Sequence, residues 1–219
     1  MSTMSRTPKI LKAGIVLIDP ISSAMQRMIT MQYNPDSLSR TFQMKEVASD
    51  GANRSEALRI KGPPAETIKL DAEIDATDQL EFPKNNEQTV ENGIYSALAA
   101  LEMLIYPQSS QLQSNYDLAA TGTLEIIPME QPLSLFVWSK QRVLPVRITE
   151  LSITEEAFDI NLNPIRAKVS LGMRVLTVDD LGFDHKGGNL FMGYLQGKEA
   201  LMRGYEQGQI NQFGFDQLP

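Results

Sequence analysis

The sequence predicts an α+β protein built mainly of antiparallel β-sheet, curled into a barrel or a curled sandwich, with one flanking helix and a C-terminal helical extension. Apolar and polar residues alternate in several segments, as they do in strands that bury one face. Another segment, 90–105, places apolar residues on one helical stripe. With 42% hydrophobic and 21% charged residues, the chain has the composition of an ordinary globular protein and not of a disordered or coiled-coil one.

The first part of the chain predicts three short strands. Residues 9–19 are apolar at both alternating positions and stop at a proline, which is typical of a strand covered on both faces. Residues 27–33 form a second extended run, and after the turn residues of 34–37 a third strand is predicted over 38–47. The small polar residues of 48–57 predict a loop.

The strand predicted over 68–76 has the clearest alternation. Its even-numbered residues are apolar, while Asp71, Glu73 and Asp75 share the opposite face. Residues 65–91 hold eight acids and two bases, a local charge of −6 that accounts for nearly all of the chain's −7. We expect this acidic face to point to water or to a partner. Carboxylates placed in this way could also bind a hard cation, an alternative that the sequence leaves open.

One helix is predicted between Asn85 and Pro107. Its apolar stripe consists of Val90, Ile94, Leu98, Leu101 and Ile105. We expect this helix to flank or plug the sheet. The polar residues of 108–121 predict a loop.

The second half of the chain is rich in predicted strands, over 123–129, 133–138, 143–158 and 165–177. In the third of these the apolar register changes near Glu150, which predicts a β-bulge there. Large residues occupy both faces of the second, so that segment is either plain core or a partner surface. Long bent strands of this kind favour a barrel or a curled sandwich.

We expect residues 1–180 to form the β domain and residues 181–219 to form a C-terminal helix and an extended tail. Three glycines interrupt the helical pattern of 190–205, and each costs about 1 kcal/mol relative to alanine. This helix should therefore need docking to persist. Phe213 and Phe215 are candidate anchors in the tail.

The chain offers little for catalysis or metal binding. It has no cysteine, which excludes disulfides and thiolate metal sites, and it has one histidine. That residue, His185, lies in a glycine-rich turn, and no glycine-flanked serine elbow is present. We expect no catalytic residue, no metal and no cofactor, so the protein is predicted not to be an enzyme.

Net charge and hydropathy restrict the partners. A charge of −7 and a pI near 4.8 argue against nucleic acid or anionic lipid as the main binding partner, because both bind surfaces with clustered Lys and Arg. No apolar run is long enough to span a bilayer, and the N-terminus has no signal-peptide pattern. We therefore expect a protein made in the cytoplasm, without nucleic-acid binding or direct membrane insertion.

Four motifs resemble the tube-type domain of contractile injection systems, which are phage-tail-like particles. In chain order they are 32–35 with 38–40, then 132–138, then 142–147 with 149–158, and finally 162–172. The family is that of the tube and baseplate adaptor proteins, many of which continue into a LysM module. The resemblance covers about residues 9–180, and residues 179–219 stand here in place of that module.

The resemblance implies a tail-tube-like β-barrel that forms a hexameric ring at the inner tube and baseplate, connects tube to spike and transmits the force of contraction. The implied partners are copies of itself, the inner tube protein, the spike protein and baseplate proteins. Such a subunit would be assembled in the bacterial cytoplasm and become part of the particle, with extracellular release left open. The rival hypothesis is a monomeric cell-wall or carbohydrate-binding β module.

Contact residues are predicted on this basis. Subunit or partner contacts are expected at Tyr33, Asn34, Arg40, Phe136, Trp138, Arg147, Phe213 and Phe215. Asp71, Glu73 and Asp75 are expected to face the lumen or a basic partner, because like charges repel across a contact between identical subunits.

Overall fold

In the residues that the structure describes, 11–45, 60–120 and 131–205, seven strands form one open antiparallel sheet in the order β2-β1-β5-β6-β7-β4-β3. This is a computed structural model. The strands are β1 (Gly14–Ile18), β2 (Met25–Thr30), β3 (Leu38–Gln43), β4 (Ala65–Asp75), β5 (Leu133–Ser139), β6 (Arg142–Phe158) and β7 (Pro164–Val175). The predicted α+β class with a mainly antiparallel sheet is confirmed. Closure into a barrel is not, because β2 and β3 remain edges of the described sheet.

Most predicted strands overlap an observed one, because alternation between apolar and polar residues is a local signal. The predicted bulge is also confirmed, since the pairing of β6 with β7 shifts register between Ile148 and Glu150. The strand predicted over 123–129, the loop over 48–57 and the anchors Phe213 and Phe215 lie outside the described residues.

In the described residues between β4 and β5, several helices take the place of the single flanking helix that the sequence predicts. They are α1 (Thr77–Leu80), α2 (Glu87–Asn92), α3 (Tyr95–Glu102) and α4 (Ser109–Ala120), with a 3-10 turn over Pro83–Asn85. The predicted C-terminal helical extension consists of α5 (Val178–Leu181) and α6 (Lys186–Arg203). None of the helices in the described ranges has the length and hydropathy to cross a membrane.

The helix predicted between Asn85 and Pro107 is wrong in its continuity, because Gly93 interrupts it. Gly93 has a φ of +58°, and a Cβ there would lie 2.2 Å from the carbonyl oxygen of Pro164. The next residue, Ile94, donates its backbone N–H to that same oxygen at 2.9 Å. The chain therefore turns at Gly93 to dock on the start of β7, and the helix restarts as α3. Part of the predicted stripe still packs on the sheet, since Leu98 is buried.

The loop predicted over 108–121 is also wrong, because α4 occupies most of it. No residue of α4 is buried, and its first half, 109–115, contains a single apolar residue, Leu112, so a sequence reading favours a loop. Its side chains support it locally instead, with Gln113 donating to Asp117 one turn later at 3.0 Å.

The main core lies against the central strands of the sheet. Phe136 on β5, Leu144 on β6 and Met173 on β7 have no exposed surface. Phe191 and Tyr194 of α6 belong to the same cluster. The expectation that the glycine-containing C-terminal helix docks is therefore confirmed, and its docking ties it to the residues of the β-sheet.

A capping box fixes the connection from the sheet to the C-terminal helices. Thr177 is 3% exposed. Its hydroxyl oxygen accepts a hydrogen bond from the Asp179 backbone N–H, and its own backbone N–H donates to the Asp180 carboxylate. Arg174 of β7 donates to the same Asp180 carboxylate at 2.6 Å. These bonds set the direction in which the chain leaves β7.

Candidate assembly surface

Within the residues that the structure describes, one stretch of β4 has an open backbone edge. β3 pairs with β4 only as far as Leu38 opposite Leu70, which leaves residues 71–75, here called the edge segment. The side chain of Gln32 donates to the Asp75 carbonyl at 2.6 Å and accepts from the Asp75 N–H at 3.0 Å. Asp75 therefore directs its backbone groups away from β7. By the pleat of the strand, those of Asp71 and Glu73 point the same way.

Gln32 thus bridges the gap between the end of β2 and the end of β4. A side-chain amide carries the same donor and acceptor as a backbone peptide, so it replaces one strand pairing where no strand lies. Beside this bridge is a cavity of about 400 Å³ between β2, β4 and α3, lined largely by apolar side chains. The sheet therefore approaches closure without completing it.

Basic residues balance part of the acidic face formed by Asp71, Glu73 and Asp75. Arg166 of β7 lies 2.7 Å from Asp75 Oδ2 and 3.6 Å from Glu73 Oε1, through its Nε. Lys168 is the cross-strand neighbour of Glu73 and pairs with Glu156 at 2.9 Å. Asp71 and Glu73 remain exposed. The sequence shows all three acids but not the bases opposite them, because those follow from strand register.

Local hydrogen bonds also tune Asp75. The Thr77 hydroxyl and the Thr77 backbone N–H both donate to Asp75 Oδ1. These two bonds, with a smaller contribution from Arg166, hold the pKa of the Asp75 carboxyl below its ordinary value. The group stays charged at the sheet edge.

Several predicted contact residues have roles within the chain. Asn34 accepts from the Ala13 N–H at 2.9 Å and donates to the Leu11 carbonyl at 2.8 Å, so it holds the start of β1 in place. Phe136 is fully buried, and Trp138 packs beside it with 5.9 Å between ring centroids. The plain-core alternative therefore fits Phe136.

Arg40 also points into its own chain. Its Nε lies 2.6 Å from Glu66 Oε1, and its terminal nitrogen donates to the Tyr194 hydroxyl at 2.9 Å. Lys198 of α6 lies 3.9 Å from the other Glu66 oxygen. This cluster joins β3, β4 and α6.

The remaining predicted contacts are on the surface. Tyr33 is 46% exposed, and Arg147 is exposed on β6 beside Arg174 of β7. Sequence reasoning missed a further exposed apolar group at the tip of the β6–β7 hairpin, where Phe158, Ile160 and Leu162 are exposed. Its signal was the alternation of these apolar residues with Asp159 and Asn161 through a turn.

The residues weighed for chemistry have structural roles here. His185 is the N-cap of α6, and its Nδ1 accepts the Gly187 N–H at 3.0 Å. Within residues 11–45, 60–120 and 131–205, no three His, Asp or Glu side chains converge as a metal site would require.

No protein-family model matches the sequence, and no curated protein matches it. Among solved structures, the chain is similar to one described as the tail of an empty GTA particle with C6 symmetry. That match covers 75% of this chain and 90% of the other at 14% identity, with a TM-score of 0.29. So loose an overlap carries no functional argument.

Proposed function

We propose that this protein is a non-enzymatic structural subunit of a phage-tail-like contractile injection particle. It forms a hexameric ring at the inner tube and baseplate, connects the tube to the spike and transmits the force of contraction. The observation that carries this proposal is the edge of β4 at residues 71–75, which the described part of a single chain bridges only through Gln32. Free strand edges bind other strands, and in a closed ring of identical copies the unpaired backbone groups of every such edge would find a partner.

The long β6–β7 hairpin supports a pore-lining role. Ser152 and Thr154 on β6 are exposed, as are Lys168 and Ser170 on β7. Their inward neighbours, such as Val169, pack in the core. A wide polar face of this kind suits a water-filled lumen. The four motifs that resemble tube-type domains include both strands of this hairpin.

The rival reading, a monomeric carbohydrate-binding module, has weaker support. Sugar-binding platforms expose aromatic faces, but the one tryptophan of the chain, Trp138, packs against the main core. A non-enzymatic role is supported by His185, whose ring nitrogen is engaged as a helix cap.

The open edge can be tested with a proline at Glu73. Because the Glu73 N–H points away from β7, a Glu73→Pro variant removes an outward donor without removing a β4–β7 hydrogen bond. Glu73→Ala removes the same side chain but keeps the N–H, and is the matched control. We expect the wild type and Glu73→Ala to form six-fold rings, visible by electron microscopy and by native mass, and Glu73→Pro to remain a folded monomer.

Two results would overturn the proposal. One is a wild-type protein that stays monomeric both alone and with its particle's tube protein. The other is a Glu73→Pro variant that keeps wild-type circular dichroism and still forms rings. If the proline variant unfolds, the native mass of the wild-type protein, alone and with the tube protein, decides whether the proposal stands.

A further inference from the structure

A groove runs between α6 and the turn that joins β5 to β6. It encloses about 840 Å³, and its walls include Arg40, Lys140, Arg142 and Lys198, with Gly193 and Gly197 on the helix side. We call it the α6 groove. Among the residues that the structure describes, four bases and no acid line it, in a chain whose net charge is −7.

The positive charge of the groove is only partly matched within the described chain, by one acid for four bases. Glu66 lies behind it and serves both Arg40 and Lys198, at 2.6 and 3.9 Å. Lys140 and Arg142 form no ion pair with any acid in the described ranges. An acidic occupant would supply the missing counter-charges.

The helix wall of the groove leaves room for close approach. Gly193 and Gly197 are one turn apart, and a Cβ at either position would meet nothing within 4 Å. The single chain therefore gives no steric reason for glycine, although glycine weakens a helix by about 1 kcal/mol relative to alanine. Two glycines here let another chain lie against the helix backbone.

The same molecule carries a complementary surface. Residues 77–92, from α1 to α2, expose Asp78, Glu81, Glu87 and Glu91 with Lys84 as the one base. None of these four acids forms an ion pair within the part of the chain that the structure describes. Phe82 stands among them, 61% exposed. We call this surface the acidic projection.

The groove and the projection lie at opposite ends of β4. Arg40 pairs with Ile68 near the start of that strand, whereas the projection begins just after Asp75 at its end. β4 has eleven residues, and at about 3.3 Å per residue it separates the two surfaces by roughly 30 Å. One chain cannot bring them together, but two copies can.

We infer that the acidic projection of one copy binds in the α6 groove of the next copy, with Phe82 lying against the glycine face of α6. The contact is heterologous, so every copy offers one groove and one projection, and association continues into a closed ring or a stack. This inference rests on the proposed function and deepens it, since it names the two faces through which successive copies join.

Cross-linking tests the contact directly, because the natural chain has no cysteine. An Asn85→Cys/Asn189→Cys protein, which leaves Phe82 and Gly193 unchanged and places its cysteines on the exposed projection and on the groove wall, should give a ladder of dimers, trimers and larger species when treated with a short bis-maleimide. The matched control is Asn85→Cys/Glu199→Cys, whose second cysteine is exposed on α6 but is not part of the groove wall. The control should give at most a small fraction of the ladder.

Charge reversal gives an independent measurement. Lys140→Glu/Arg142→Glu should weaken association by about tenfold or more, as should Glu81→Lys/Glu87→Lys. Mixing the two variants should restore association between them, because each retains one native face and complements the other's altered face.

The outcomes separate this contact from the proposed function. Rings that form but give no ladder and ignore both charge reversals overturn the contact and leave the ring intact. A chain that never associates, alone or with its tube protein, overturns both. If the Glu199→Cys control gives as much cross-linked product as the test variant, the contact is also overturned, because random collisions would then explain the cross-links.

Discussion

Glu66 shows what one buried charge contributes to this fold. Its side chain is 5% exposed and holds Arg40, which is 22% exposed. On sequence alone Glu66 counts as one of eight acids in a charged segment. Its even position places it on the inward face of β4, and its partners come from β3 and from α6, far along the chain. The alternation predicts that the Glu66 side chain points inward. It does not predict the ion pair with Arg40 that compensates the cost of burying the charge.

Replacing Glu66 with Gln should destabilise the protein by about 2 kcal/mol, because a half-buried guanidinium loses its charged acceptor. The matched control is Glu150→Gln, which removes the Lys69–Glu150 pair on the surface, where both side chains are more than half exposed. That pair should contribute less than about 0.5 kcal/mol. Urea unfolding measures both. Equal losses in the two variants would show that burial of the pair adds nothing.

Asp75 should make stability depend on pH in the acid range. Its pKa is lowered in the folded protein, chiefly by the Thr77 hydroxyl and N–H. A lowered carboxyl pKa stabilises the fold above the unfolded pKa of about 3.9, and this contribution is lost as pH falls through the folded value. We expect the wild type to be more stable than Asp75→Asn at pH 6, with the difference shrinking below pH 4. A difference that stays constant down to pH 2 would contradict this cause.

At the scale of the elements, helix boundaries were harder to predict than strands. The stripe of apolar residues through 90–105 crosses Gly93 without a change of period, so periodicity gave no reason to divide the helix. The reason is the approach of Pro164 from β7, which is a tertiary contact. α4 was missed because polar residues dominate it, and its apolar pair Leu112 and Tyr116, one turn apart, is exposed and packs on no core of the described residues.

Two glycines should respond in opposite ways to alanine. At Gly93, φ is +58° and the Cβ would meet the Pro164 carbonyl at 2.2 Å, so Gly93→Ala should cost about 1–3 kcal/mol. At Gly193, inside α6, the space is open, so Gly193→Ala should stabilise the isolated chain by up to about 1 kcal/mol. Thermal unfolding of dilute protein measures both. A loss of stability in Gly193→Ala would contradict the view that only an occupant of the α6 groove explains this glycine.

At the scale of the whole molecule, the sequence predicts a curled antiparallel sheet but not how its ends meet. The bulge near Glu150 was predictable because it changes the apolar register within one strand. The meeting of β2 with β4 depends on one glutamine, Gln32, that lies 43 positions from its partner Asp75. No local pattern marks such a bridge, and the basic α6 groove likewise gathers residues from β3, a turn and α6.

The open edge leads to a prediction about amide exchange along β4. In the monomer, the N–H groups of Ala72 and Ile74 face β7 and should exchange slowly, whereas those of Asp71 and Glu73 face the open edge and should exchange quickly. The Asp75 N–H should be slow only while Gln32 holds it, so Gln32→Ala should release it without changing Ile74.

Assembly should then remove the alternation of fast and slow exchange along β4, because carbonyl groups of a strand from the next copy would accept hydrogen bonds from the outward N–H groups. We expect Asp71 and Glu73 to become as slow as Ala72 when rings form, measured by quenching assembled protein and reading the monomer spectrum. If both remain fast within assembled rings, copies join without pairing strands at β4. The acidic projection and the α6 groove would then have to hold the ring through side chains alone.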